Sequence, residues 1–441
     1  IVRPLSLCYN KTGYDPAYFC ERGALDMKKN LLVAQSGGPT AVINASLCGV
    51  IREGMRHPEE IGMVYGAVNG IQGILEGTII RVDDQFETAA DFELLCHTPS
   101  SALGSCRYKM PSPDKGPEQY AKILEMFRKY NIGYFAYIGG NDSMDTANKI
   151  ADYCYEHGEE VRVVGVPKTI DNDLPITDHC PGFGSAAKYI ATTLMEVAAD
   201  AEVYPMKSVV IAEIMGRNAG WLTAAASLTR ELGGSYAPQL IYLPEAVFDP
   251  EQFVEDVRRE LDKRDTVVIA VSEGVRLADG SYAAESMQSG QVDAFGHKYL
   301  AGVGKYLERL TADRIGCKVR SLELSVMQRA AAHLQSATDL EEAVRAGEKA
   351  VEAMLRGDTR IMIAYRRISD APYRIAYETA PLGEVANVEH KIPRKWINEA
   401  GNDVREELVR YLAPLIQGEV SVPMKNGVPM HFSFDKTRLA D

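Results

Sequence analysis

The chain has 441 residues, 46% apolar and 25% charged, enough for two or three domains around large cores in an ordinary soluble enzyme. A net charge of −13 argues against non-specific binding to nucleic acid or an anionic membrane, and no apolar run is long enough to span a bilayer. The eight cysteines form no CxxC pair and the eight histidines no HxxxH spacing, so reduced thiols in a cytoplasmic protein are expected, not a disulfide frame or a zinc site.

In chain order, residues 1–26 show no helical or strand period and no signal-peptide core. They are expected to be an added or poorly ordered extension before a natural start at Met27, with a regulatory extension as the alternative. Short apolar runs then alternate with amphipathic stretches. The pattern predicts a strand at Leu31–Ala34, helices at Ala41–Met55 and Glu118–Tyr130, and a strand at Tyr134–Ile138. A helix at Ser143–His157, a strand at Arg162–Val166 and a helix at Gly184–Val197 follow. Strands at Ser208–Glu213, Gln239–Leu243 and Thr266–Val271 are interleaved with helices at Asn218–Leu232 and Pro250–Lys263. Helices at Val326–Gln335 and Asp339–Leu355 come last. Residues 279–306 read as polar, then helical, and as a candidate insertion; the tail from Val385 reads as partly helical. Such alternation implies an α/β fold of parallel sheets covered by helices, with ligands at the carboxyl ends of the strands.

Four turns sit at those ends, at Ser36–Gly38, Gly139–Ser143, the lysine–aspartate stretch 166–175 and Met215–Arg217, and the loop Gly104–Lys109 is a further phosphate candidate. Gln35-Ser36-Gly37-Gly38-Pro39-Thr40 joins a strand to a helix, where glycines and the helix N-terminus suit an anion; a tight turn without a ligand explains it equally well. It is neither a Walker loop nor a GxGxxG fingerprint, which speaks against a nicotinamide-dependent oxidoreductase. Gly139-Gly140-Asn141-Asp142-Ser143 repeats the arrangement. Helix capping by Asp142 or Ser143 is a complete structural explanation; in the functional one, the glycines admit a phosphate that Asn141 and Ser143 bond. Asp142 would repel a long phosphate chain. Arg107, in Gly104-Ser105-Cys106-Arg107, is either an exposed loop arginine or a bidentate phosphate ligand. Arg217, in Met215-Gly216-Arg217, is placed at a helix start, where a cation opposes the helix dipole unless an anion is bound.

The richest stretch is Val166-Pro-Lys-Thr-Ile-Asp-Asn-Asp-Leu-Pro175, following a buried strand. Alone it reads as an Asx-rich turn. Beside the other loops, its lysine and paired aspartates suit a phosphate and a proton.

Together these motifs resemble the phosphofructokinase family, from about Asn30 to about Asp339. The resemblance implies two similar Rossmann-like α/β domains with the site in their cleft. It divides the chain into residues 27–182 plus about 328–384 for the phosphoryl donor, and 183–327 plus about 385–441 for the sugar phosphate. Asp171 is implied as the general base toward the 1-hydroxyl of fructose 6-phosphate, Thr169 as a contact to the transferred group, and Asp173 as the residue that organises Mg2+. Met215, Gly216, Arg217 and Glu273 would hold the sugar. Arg320 and Arg329 would grip its 6-phosphate, with Arg320 reaching across from a neighbouring subunit, so a homodimer or homotetramer with shared sites is expected.

Donor residues carried over are Gly38, Arg107, Gly140, Asn141, Asp142, Ser143 and Lys168. ATP-using members typically have glycine where Asp142 and Lys168 stand. A carboxylate at 142 crowds the α-phosphate of ATP and an ammonium at 168 neutralises a short donor, so the pattern resembles the pyrophosphate-dependent branch. An ATP-dependent enzyme is the alternative, and a non-catalytic subunit of the same fold a further one. Two departures stand out: Asn141, still expected at the metal beside Asp173, directly or through water, replaces the usual metal-side aspartate, and Val326 replaces a histidine of the 6-phosphate pocket. Lys207, Lys305 or Tyr306 are candidates to complete that pocket.

Overall fold

A computed structural model describes residues 28–285, 302–437 and 439–440. The expected extension at 1–26, and most of the candidate insertion at 279–306, lie outside these residues.

Eleven strands build two sheets. The first takes β1 (Lys29–Gln35), β2 (Ile61–Ala67), β3 (Ile79–Arg81), β4 (Ile132–Gly139), β5 (Arg162–Pro167), β10 (Ile361–Asp370) and β11 (Tyr373–Pro381); the second takes β6 (Ser208–Ile214), β7 (Leu240–Tyr242), β8 (Thr266–Ser272) and β9 (Lys318–Glu323). Their orders are β11-β10-β5-β4-β1-β2-β3 and β7-β8-β6-β9. The second sheet is parallel throughout. The first is parallel at its centre and antiparallel at both margins, where β3 turns back on β2 and β11 on β10. Central strands such as Leu31–Ala34 and Val163–Val166 are fully buried, as expected for a sheet covered on both faces.

Register decides where the loops emerge. Gln35 pairs with Ile138 and Gly139 with Pro167, so the turns after β1, β4 and β5 leave the first sheet side by side. In the second sheet Ile214 pairs with Ser272 and Glu213 with Glu323, which aligns the turns after β6, β8 and β9. Each sheet thus offers a row of loops at its carboxyl edge, the usual ligand position in parallel α/β folds.

Several elements depart from expectation. The helix expected at Asn218–Leu232 begins at Trp221 and is broken into Trp221–Ala224, a 3-10 turn at Ala225–Ser227, and Leu228–Glu231. The helix expected at Val326–Gln335 shortens to Met327–Ala330 and a 3-10 turn at Ala332–Leu334. Strands β2, β3, β9, β10 and β11 had no counterpart among the expected elements. β9 is an edge strand of sequence KVRSLE with none of its residues fully buried, so only its pairing with β6 marks it. Residues after 424 return to the first sheet: Ala440 N–H donates to the Ile79 carbonyl at 2.7 Å, and Phe432 stacks on Phe86 at 5.0 Å.

Candidate active site

The two rows of loops face each other across a cleft of about 950 Å³. The first row brings Gly38, Gly140, Asn141, Asp142, Ser143, Lys168, Thr169, Asp171 and Asp173 to its wall, where Arg107 joins them from the loop that follows the helix Ala89–Cys96; the second brings Met215, Arg217, Glu273 and Arg329. Gly216 lies beside them, its N–H 3.4 Å from Glu273 Oε1. Its backbone has φ +146, and a Cβ there would lie 2.6 Å from the Ala219 carbonyl oxygen, so the sharp turn that aims Met215 and Arg217 requires glycine.

Arg320 is elsewhere. It projects from β9 into a separate groove beside the helix Phe183–Ala201, with its guanidinium 3.8 Å from Asp200. The candidates to complete the 6-phosphate pocket also fall outside the cleft. Lys207 bonds the carbonyls of Leu261 and Arg264, Lys305 pairs with Glu308, and Tyr306 packs against the core of the second sheet. Arg217 precedes the first helical residue, Trp221, by four positions, so the expected conflict with a helix dipole does not arise there. Its Nε is buried without a hydrogen-bond partner among the described residues.

The turn after β5 is held from behind. Asn172 adopts φ +55, in the left-handed region that Asn tolerates better than most residues. Its buried amide donates to Tyr411 Oη at 2.8 Å and accepts from the Cys180 N–H at 2.9 Å. Asp171 and Asp173, on either side of it, both line the cleft, and Thr169 Oγ1 accepts from the Asp171 N–H at 3.1 Å.

The charges are packed closely enough to alter one another. Burial lowers Lys168 to about 8, against the pull of Asp171 and Asp173; the side chain is 3% exposed and its ammonium donates to the Gly38 carbonyl at 2.7 Å. Burial raises the Asp171 carboxyl, while Arg217 and Lys168 oppose the rise. Burial and then the Asp171 charge push Asp173 up to about 7, with Glu389 adding to the rise. Burial and again Asp171 push Glu273 up to about 8. Burial, reinforced by Arg107, lowers Arg329. Cations at one end and carboxylates in the middle describe a site for an anion and a proton acceptor, with room for a cation between them.

Other residues line the cleft to which the motifs assign no role. Asn387, Glu389 and Lys391 enter it on a segment about 220 residues beyond the catalytic turn, and Lys109, Asn218 and Gln328 complete the walls. Glu389 accepts from Asn218 Nδ2 at 2.6 Å, and Gln328 Oε1 accepts from the Met215 N–H at 3.2 Å. Asn141 bonds the backbone of 387 and 388 through both atoms of its amide. The one signal in the sequence is a charged triplet, Glu389-His390-Lys391, with no strand or glycine turn before it.

Comparison with known proteins agrees with this arrangement. The phosphofructokinase family model matches residues 30–354. The pyrophosphate–fructose 6-phosphate 1-phosphotransferase of Halomonas elongata is 45% identical over 412 residues, covering 93% of this chain and 97% of that protein. The protein of the same name from Methylococcus capsulatus is 44% identical over 403 residues, 91% and 94% of the two chains. The crystal structure of the pyrophosphate-dependent phosphofructokinase from Marinobacter aquaeolei superposes with a TM-score of 0.83 at 38% identity, over 94% of this chain and 98% of that one. By sequence, fold and the grouping of its loops, the chain belongs to the phosphofructokinase family.

Proposed function

We propose that this protein transfers a phosphoryl group from pyrophosphate to the 1-hydroxyl of fructose 6-phosphate, reversibly, giving fructose 1,6-bisphosphate and phosphate. The observation that carries the reading is the donor end of the cleft, where Lys168 is buried against the glycine turn while Asp142 stands in the first turn of the helix Asn141–Glu156. In this reading a short donor lies between them. The longer chain of ATP would meet the Asp142 carboxylate. The similar proteins from Halomonas and Methylococcus carry the same activity in their names.

Each residue has a role in this reading. Asp171 takes the proton from the sugar hydroxyl; its raised carboxyl makes it a stronger base, and Arg217 and Lys168 keep it ionised when a substrate phosphate is near. Thr169 contacts the transferred group. Lys168, Arg107, Ser143 and the backbone at Gly38 and Gly140 hold the donor oxygens. Met215, Gly216, Arg217 and Glu273 hold the sugar, and Arg329 its 6-phosphate. Arg320 acts on the 6-phosphate held by a second copy, in a homodimer or homotetramer. The first-sheet unit serves the donor and the second-sheet unit the sugar phosphate. The setting is cytoplasmic, in line with the free thiols of Cys48, Cys96, Cys106, Cys154, Cys180 and Cys317.

Enzymes of this family normally use Mg2+. No three carboxylates, imidazoles or thiols converge into a cage among the described residues. Magnesium is commonly held by one or two carboxylates plus phosphate oxygens and water, so Asp173 beside Asp171 is a fitting donor set. Burial first, and then the nearby Asp171 and Glu389 charges, raise Asp173 to about 7, and that excess of negative charge favours a cation there. When bound, Mg2+ neutralises charge on the phosphate oxygens.

The test is a donor assay. Purified protein with fructose 6-phosphate and Mg2+ is given pyrophosphate or ATP, and fructose 1,6-bisphosphate is measured. Turnover with pyrophosphate is expected. Turnover with ATP and none with pyrophosphate would reverse the donor assignment, and none with either would leave a binding protein of the same fold.

A further inference from the structure

Residues 386–392 form no helix or strand, yet they are tied to three separate parts of the cleft. On the donor side Asn141 Oδ1 accepts from the Asn387 N–H and Asn141 Nδ2 donates to the Val388 carbonyl, each at 2.5 Å. This pairing requires an amide, because a carboxylate has no hydrogen to donate to a carbonyl. Asn387 adds a bond from its own amide to Asp145 Oδ1 at 3.2 Å, on the same helix, and holds φ +62, uncommon for a residue other than glycine. At the catalytic turn the His390 N–H donates to the Asp173 carbonyl at 2.7 Å. On the sugar side the His390 carbonyl accepts from Trp221 Nε1 at 3.0 Å, and Glu389 accepts from Asn218. One step further, Glu245 Oε1 accepts from the N–H of both Ile392 and Gly220, at 3.1 and 2.9 Å.

These bonds run in one short chain from the donor helix through the catalytic turn to the loop that carries Met215, Gly216 and Arg217. We propose that residues 387–391 are a strap that couples the two walls of the cleft, and that Asn141 is its latch. Asn141 is then a positioning residue: it fixes the strap, and the strap fixes Asp173 and the sugar loop. The inference rests on the phosphotransferase reading of the cleft, since it takes fructose 6-phosphate as the ligand of the second wall. It differs from the expectation that Asn141 stands beside the metal. A residue acting only on metal or donor has no effect on the sugar phosphate when neither is present.

The experiment measures fructose 6-phosphate binding by calorimetry on the full chain, without pyrophosphate and without divalent cation. Asn141→Asp keeps the size but turns the bond to the Val388 carbonyl into a repulsion, and Asn141→Ala removes both bonds. Asn387→Pro deletes the N–H from the other side and cannot hold a positive φ, so it loosens the strap without altering the donor loop. Each variant is expected to weaken sugar-phosphate binding about five- to twenty-fold, a usual range for coupling between sites. Amide hydrogen exchange across 386–392 should quicken while the melting midpoint holds. Unchanged affinity in all three variants overturns the proposal, even where exchange quickens, since a loose strap would then couple nothing. Unchanged exchange overturns the latch. A wild-type protein that binds no fructose 6-phosphate defeats the functional reading and the coupling together, while the exchange arm still decides the latch on its own.

Discussion

The two walls of the cleft are built in different ways. The wall proposed to hold the donor rests on the turns that directly follow β1, β4 and β5 and on the Arg107 loop, and its central cation, Lys168, is buried and fixed to a backbone carbonyl. The sugar wall is gathered from the loops around 215, 273 and 329 and from the segment near 389, and it is rich in carboxylates: Glu213, Glu273, Glu323 and Glu389 all line it. A wall of backbone amides and immobile cations recognises phosphate by charge at little cost in order. A wall of convergent side chains recognises shape, and depends on every segment being held in place. The turn with Asp171 and Asp173 lies between them, and charges from both, Lys168 and Arg217, act on Asp171.

The largest expected effect tests the centre that both walls share. Asp171→Ala should lower kcat by roughly 10²- to 10⁴-fold, the range typical of a lost general base, while fructose 6-phosphate binding stays within a few fold. Steady-state kinetics with calorimetry reads both; undiminished kcat removes Asp171 from the role. Next comes the separation of the walls. Lys168→Met should raise KM for pyrophosphate about 10- to 100-fold, as expected for a lost charge-assisted bond of about 1.5–3 kcal/mol, and leave KM for the sugar phosphate nearly unchanged. A parallel rise in both would mean that Lys168 shapes the whole cleft. Asp142→Gly should bring measurable use of ATP, with Lys168→Gly added where the single change is too weak. No ATP turnover from the double variant would remove the steric and electrostatic account of donor choice.

The smallest effect concerns pH. Asp173 and Glu273 are raised to about 7 and about 8, so the ligand-free folded protein holds protons that the unfolded chain, titrating near 4, has released. Their contribution to stability is fully present below the unfolded value and is lost as pH rises through 7 and 8. The melting midpoint without ligands should therefore fall between pH 6 and 8, and Asp173→Asn should flatten the fall. Lys168, lowered to about 8, favours the folded state progressively above that value, so its trend is opposite but begins where theirs ends. A flat profile from pH 6 to 8 would show that the central carboxylates are better solvated than their surroundings indicate.

Apart from the Arg107 loop, the proposed donor wall was legible in the sequence because its parts are contiguous strand-turn-helix units. Apolar runs at Leu31–Ala34, Tyr134–Ile138 and Arg162–Val166 all became strands of the first sheet, and the turns after them reached the cleft. The sugar wall was legible only in part. Met215, Arg217, Glu273 and Arg329 follow or adjoin strands and were found. No motif assigns a role to Lys391, Asn218 or Glu389, and Lys207, Lys305 and Tyr306, expected to complete the 6-phosphate pocket, lie outside the cleft. The broken helix at 221–231 shows a similar limit: an amphipathic run of alanine and leucine reads as one helix, whereas packing against the helix Phe183–Ala201 and the segment near 411 accommodates three short pieces.

The sequence by itself determined the α/β class, the buried central strands, the family, and the turn that brings Lys168, Asp171 and Asp173 to the cleft, because period, apolar runs and contiguous turns are local properties. Only the tertiary structure decided that Asn141 bonds a segment some 246 residues away, that Glu389 and Lys391 enter the cleft, and that Arg320 lies outside it. Those outcomes depend on which strand ends lie side by side. That choice is made by sheet order and register over the whole chain, and no short stretch of residues contains it.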